Sequence, residues 1–200
     1  NQGYGGAIFN ASGGLLNVNN SVFEGNSAEW DGGAISSTTS YLNPKSLPAD
    51  WDLGEWSVEN VRKYWEKKNG FDAANKMVIT NSTFSNNTVD SYSGGALGVY
   101  SDAVIDNTKF VGNNAGGHIP ADSVDGGGAI YAGGWARVDL SNSEFTGNSS
   151  NYGGAIATTR AGLEDDTRLH ITNSKFAENK ATVSGGAISN KFQDAVMSCL

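Results

Sequence analysis

The stretch NSEFTGNSSNYGGAI, from Asn142 to Ile156, decides how this chain folds. It joins two phrases: Asn-x-x-Phe-x-x-Asn at 142–148, then Gly-Gly-Ala-Ile at 153–156. Both recur. The Gly-Gly-Ala phrase, closed by Ile or Leu, begins at Gly5, Gly32, Gly94, Gly127, Gly153 and Gly185. The Phe phrase begins at Asn20, Asn81, Asn107, Asn142 and Asn173, always between two Gly-Gly copies. Self-similarity at a short period marks a solenoid, propeller or array. Successive Gly-Gly pairs lie 27, 62, 33, 26 and 32 residues apart, and the two shortest intervals give the bare repeat.

Alignment on the motif Phe exposes a strand. Five residues before Phe23, Phe84, Phe110, Phe145 and Phe176 stand Val18, Ile79, Ile105, Leu140 and Ile171. Seven before stand Leu16, Met77, Ala103, Val138 and Leu169. Apolar residues two apart share one face of a strand. The residues between them are mostly polar, Val78 and Val104 excepted, so the other face is wet. The Ala-Ile pair reads as a second strand whose two residues face opposite ways. The Gly pair marks either a turn with unusual backbone angles or a close approach between coils. The Asn residues flanking each Phe suit amide ladders between stacked, in-register strands, and Asn also tolerates left-handed turns.

A unit of 26 or 27 residues is too short for a propeller blade of ~40, and it lacks the Leu consensus of a leucine-rich repeat. A parallel β-helix fits. The chain is therefore expected to be all-β, a parallel β-helix solenoid over 1–200 with a partly helical insertion at 41–75.

The alternation of GGA[IL] with Phe-x-x-Asn resembles the repeat of chlamydial polymorphic outer-membrane proteins and related extracellular proteins. That resemblance implies a right-handed parallel β-helix on the cell surface, used in adhesion; in bacteria it is the passenger of an autotransporter. It transfers no catalytic residue, because the motif residues are structural in that family. The autotransporter barrel is missing from this chain, and cysteine is scarce compared with the chlamydial members.

Composition narrows the function classes. A formal charge of -8, a pI of about 4.6 and no basic cluster argue against nucleic-acid binding and against docking on anionic lipid. No apolar run approaches the ~18 residues of a membrane helix. Neither end reads as the atypical capping repeat a solenoid needs. The chain is thus expected to be part of a longer one, with further coils of that chain as its first partner. Cys199, the single cysteine, is open to two readings, a buried thiol or half of a disulfide to a cysteine outside this sequence.

The 62-residue interval hides the insertion. It holds Trp51, Trp56 and Trp65, named as the candidate contacts for a protein or glycan partner. The run SVENVRKYWEKKNG suits a helix capped by Ser57 and ended by Gly70, with Val58, Val61, Trp65 and Tyr64 on one face. The plain alternative is that this face packs on its own coil. Asn-x-Ser/Thr acceptors begin at Asn10, Asn19, Asn81, Asn86 and Asn148. Asn10, Asn86 and Asn148 are expected to be the more exposed and are the glycosylation candidates.

No cofactor and no metal site is expected. Glu164-Asp165-Asp166 reads as a solvated turn rather than a Ca²⁺ site, and His118 and His170 fall in no metal-spaced cluster. The leading function is a non-enzymatic structural or adhesive module. Its rival is a carbohydrate-active enzyme on the same fold, either a hydrolase or a lyase, and Asp102, Asp106 and Asp139 are its nearest carboxylates. Ice binding fails because Thr38-Thr39 and Thr158-Thr159 are not matched in the third copy, where Gly98, Val99 and Tyr100 stand.

Overall fold

In the computed structural model the alternating apolar positions become four stacked parallel sheets. The structure describes residues 3–11, 15–38, 47–55, 57, 60, 63–64, 67, 76–116, 126–133, 136–159, 168–191 and 194–198. Each coil gives one strand to each sheet, so every strand pairs with its counterparts in the coils before and after. The Gly-Gly sheet stacks Ile8–Asn10, Ile35–Thr38, Leu97–Tyr100, Ile130–Ala132, Ile156–Thr158 and Ile188–Ser189. A second sheet of longer strands stacks Leu16–Asn19, Lys76–Thr80, Asp102–Asp106, Arg137–Ser141, Arg168–Thr172 and Asp194–Ser198. The Phe sheet follows with Val22–Glu24, Thr83–Ser85, Lys109–Val111, Glu144–Thr146 and Lys175–Ala177. Ser27–Ala28, Thr88–Val89, Asn114–Ala115, Ser149–Tyr152 and Lys180–Ser184 form the fourth sheet. This is the parallel β-helix expected from the sequence.

Registers match the motif alignment. Ile105 pairs with Ile79 and Leu140, and Phe110 with Phe84 and Phe145. The five motif Phe rings form one column, with centroids 4.7 to 5.2 Å apart and planes within 11° of parallel. Met77, Ile79, Phe84, Ile105, Phe110 and Phe145 are fully buried in a single core that runs the length of the coils.

The Phe sheet is bounded by two corners of two residues each in every coil. At the first, the Asn three before Phe adopts φ between 45° and 51°. At the second, Gly25, Asn86, Gly112, Gly147 and Glu178 adopt φ between 54° and 65°. Only Gly, and to a lesser degree Asn, enters this left-handed region easily, which explains the residue types at both places except Glu178.

The Asn three after Phe turns inward instead. Asn113 Oδ1 accepts the backbone N–H of Asn87 at 3.0 Å and its amide at 2.9 Å. Asn113 Nδ2 donates to the carbonyl of Phe84 at 3.0 Å and to Asn148 Oδ1 at 2.9 Å. The same pattern links Asn26, Asn87, Asn113, Asn148 and Asn179 into one internal ladder. A buried amide left unpaired would cost ~1–3 kcal/mol; here the partners are the identical residue one coil away and the carbonyl of the preceding coil's Phe.

The two glycines of each pair are required for different reasons. Gly94 has φ 71°, and a Cβ there would meet the carbonyl oxygen of Leu97 at 2.1 Å. Gly95 has an ordinary backbone, but its Cβ would lie 2.1 Å from the carbonyl oxygen of Gly128 in the next coil. Turn and close approach are both present, one per glycine.

One expectation about this strand is corrected. Ala34 and Ile35 do not face opposite environments, since both are fully buried in the core, as are Ala96 and Leu97. The Ala lies at a kink, where its N–H and that of the next residue share one acceptor, Ala96 O for Ala34 and Ile35. Beyond the first strand, where Phe9 is exposed, the outer face of this sheet is dry as well, for Ser36, Tyr131 and Ala157 are buried. The Gly-Gly turn of the preceding coil covers it: a Cβ on Gly98 would lie 3.1 Å from Asp31 Cβ and 3.2 Å from Gly32 N.

The insertion leaves after Thr38 and the coil resumes at Lys76 in unbroken register, with Met77 paired to Leu16 and Ala103.

Candidate functional site

The described part of the insertion is knitted to itself. Asn60, Lys63, Tyr64 and Lys67 are helical. Ser57 caps this helix as its sequence position predicts, its Oγ accepting the N–H of Asn60 at 3.0 Å. The Asn60 amide donates to the carbonyls of Leu53 and Glu55, both at 2.9 Å. Tyr64 is buried, packs its ring 5.6 Å from that of Trp51 and donates its hydroxyl to Asp50 at 2.9 Å. Lys67 pairs with Asp52, and the hydrogen bond from its ammonium holds the Asp52 carboxyl below its ordinary range. Asp50, Asp52, Tyr64 and Lys67 line an open cavity of about 240 Å³.

Trp51 is half-buried against Tyr64, and its indole N–H is taken by the carbonyl of Gly54 at 2.7 Å. It is therefore first a strut of the loop, with one edge left at the surface. Trp56, Trp65, Val58, Val61 and Gly70 lie outside the described residues.

The three carboxylates of the rival enzymatic reading lie on the outer face of the long-strand sheet. Asp106 accepts hydrogen bonds from the Ser141 hydroxyl at 2.6 Å and the Asn142 amide at 2.7 Å. These two bonds outweigh partial burial and lower its pKa, aided by the backbone amide of Asn107. Asp139 is bound to Arg168 at 2.6 Å and lies 3.6 Å from His170 Nδ1. Asp102 stands in register with Lys76. A glycosidase needs one carboxyl kept protonated by a raised pKa. The hydrogen bonds at Asp106 do the opposite, and Asp139 is tied up in an ion pair with Arg168.

The sequons sort differently from expectation. Asn10 is half-buried, its amide bonded to Ser37 Oγ at 3.1 Å, and Asn86 is exposed. Asn148 is a correction: it is fully buried as a rung of the internal ladder. Its Nδ2 is committed to Phe110 O and Asn179 Oδ1, at 3.0 and 2.9 Å, which leaves no nitrogen for a glycan. Asn19 and Asn81, expected to be the less exposed, are exposed. Glu164, Asp165, Asp166, His118 and Cys199 lie outside the described residues. Among those described, no group of three or more His, Cys, Asp or Glu is placed to hold a metal ion.

Sequence reasoning missed an aromatic cluster at the corner leading into the Gly-Gly sheet. Tyr4 meets Trp30 edge-on, with ring centroids 5.3 Å apart, and lies parallel to Phe9 at 5.6 Å. Partial burial, then the charges of Asp31 and Tyr92, raise the Tyr4 phenol above its ordinary value. The available signal was positional: Trp30 and Tyr92 each stand two residues before a Gly-Gly pair.

The Chlamydia polymorphic membrane protein repeat matches the chain at 20–38, 142–159 and 173–191. Each match runs from the left-handed Asn before the Phe to the Gly-Gly strand. The copies beginning at Asn81 and Asn107 share the same sheets and register. No curated protein and no solved structure matches the chain.

Proposed function

We propose that this chain, which carries polymorphic membrane protein repeats, is a non-enzymatic structural and adhesive module of a cell-surface protein. It is a rigid β-helical spacer that displays loops to partners. One observation carries this reading: the repeat motif is consumed by stacking. The Phe column, the internal Asn ladder and the Gly-Gly contacts each join a residue to its own counterpart one coil away. The motif residues left at the surface, at 142–144 and 173–176, line an open cavity of about 480 Å³ whose one carboxylate is Glu144. Variation is confined to segments such as 39–75, which leave the coil and return in register, and loops on rigid scaffolds are where binding concentrates. The insertion, with the exposed edge of Trp51, is the contact element for a protein or glycan, and Asn10 and Asn86 are its glycan acceptors in a secretory host.

The test has two arms. The purified chain is incubated with neutral and acidic polysaccharides, with and without Ca²⁺, and new reducing ends or unsaturated products are measured. No turnover is expected. Turnover abolished by Asp106→Asn or Asp139→Asn would replace this reading with the enzymatic one. In the second arm, 41–75 is replaced by a short turn. The β-sheet circular dichroism should persist and adhesion of the coated protein to host-cell surfaces should fall. Unchanged adhesion would remove the insertion from the contact.

A further inference from the structure

The aromatic corner bears a second kind of side chain that the repeat does not explain. Trp30 and Tyr92 occupy equivalent places in successive coils and are 39% and 41% exposed. Tyr4 and Phe9, stacked beside Trp30, are as open. Elsewhere the aligned aromatic rings, those of the Phe column, are packed inside. Acids flank these rings. The N–H of Asp90 donates to Ala28 O at 3.1 Å and that of Ser91 to Glu29 O at 2.8 Å, which sets Glu29 and Asp90 side by side in adjacent coils. Like charges opposed on neighbouring strands are destabilising. Neither Glu29 nor Asp90 forms an ion pair with a described residue, and residues 1–44 contain no Lys, Arg or His.

We infer that this strip, Glu29, Trp30, Asp90 and Tyr92 with Tyr4 and Phe9 behind them, docks an extended cationic segment of a partner protein. A guanidinium or ammonium is attracted to the face of an indole or phenol ring. It also relieves the repulsion between Glu29 and Asp90. Coils repeat every ~4.8 Å, so a peptide laid along the axis meets a ring and a carboxylate on each of two successive coils. A neutral sugar would stack on the same rings but leave the acid pair uncompensated, which is why the charge favours the cation. This surface is distinct from the insertion and does not depend on what the insertion binds.

The probe is a fluorescent 12-residue peptide of alternating Gly and Arg, titrated in buffer with EDTA, beside a Gly-Glu peptide and cellohexaose. Binding of the Gly-Arg peptide alone is expected. Trp30→Ala with Tyr92→Ala should weaken it at least tenfold, and Glu29→Gln with Asp90→Asn should do likewise. Glu144→Gln, a remote acid near Lys109, should change it less than twofold. The acid variant also guards against misfolding: relief of the like-charge pair should raise its Tm by roughly 1–4 °C. The inference falls if the Gly-Arg peptide does not bind, if Glu144→Gln weakens it equally, if the acid variant lowers Tm, or if cellohexaose competes for the rings. Failure on any of these leaves the scaffold reading standing, since only catalytic turnover would sink that.

Discussion

The two corners beside the Phe sheet and the two beside the Gly-Gly sheet obey opposite rules. Beside the Phe sheet every coil spends two residues per corner, whatever else the coil contains. Beside the Gly-Gly sheet the connections range from the single residue Ser101 to the whole of 39–75. The difference is one of constraint. A two-residue corner holds a left-handed residue and an inward side chain, which at the second corner is bonded to the coils on both sides, so an inserted residue there would break a ladder that runs through the molecule. The Gly-Gly corner fixes only its last step, where two glycines pass under a neighbouring backbone. Whatever precedes or follows that step is free to lengthen, and the insertion and the aromatic strip both sit there.

The sharpest way to break this comparison is to attack the one fixed point of the variable side. Gly95→Ala puts a methyl group 2.1 Å from Gly128 O and 2.7 Å from the Asn114 backbone, and neither can give without parting two coils. The cost should be on the order of 4–5 kcal/mol, read from urea unfolding. A loss under about 1 kcal/mol would mean that the coils are not in such close approach.

Next comes a contrast between the two asparagines of one repeat. Asn113→Ala strands the backbone N–H and one amide hydrogen of Asn87 inside the core, and should cost roughly 3 kcal/mol. Asn107 lies at the exposed corner with φ 46°, so Asn107→Ala should cost about 1 kcal/mol and Asn107→Gly almost nothing. Equal costs for Asn113→Ala and Asn107→Ala would erase the distinction between ladder and turn.

That distinction also marks how far the sequence could be read. The period-two alternation of Met77 and Ile79, or Val138 and Leu140, reveals a strand because burial there depends on its own coil. The two asparagines look alike in sequence, so the sequence alone places Asn148 among the exposed acceptors. The separating signal is the neighbour: Gly147 takes the left-handed turn, which leaves Asn148 to point inward. The dry outer face at Ser36 and Ala157 was not readable, because the cover comes from the previous coil's turn. Residues before Gly-Gly vary in type from copy to copy, so Trp30 and Tyr92 carried no repeating pattern. Ser57 was readable because helix capping is local.

The smallest effect lies on the outer rail of the first invariant corner. There Thr80 and Asn81 both donate to Asn19, and Asn107 donates to Asn81. One coil on, Asp106 takes the acceptor's place for Ser141 and Asn142. The carboxylate accepts both bonds as an anion, so its folded pKa is lowered. A depressed pKa contributes stability that is fully present above the ordinary carboxylate value and is lost as pH falls through the folded value. Asp106→Asn should therefore destabilise the chain near neutral pH, and the gap to the parent should close in acid. Because the carboxylate is only partly buried, the gap should not exceed about 0.5 kcal/mol. Chemical unfolding at pH 7 and pH 2.5 measures it. A gap that persists undiminished at the lower pH would show that side-chain shape, not charge, sets the register of this rail.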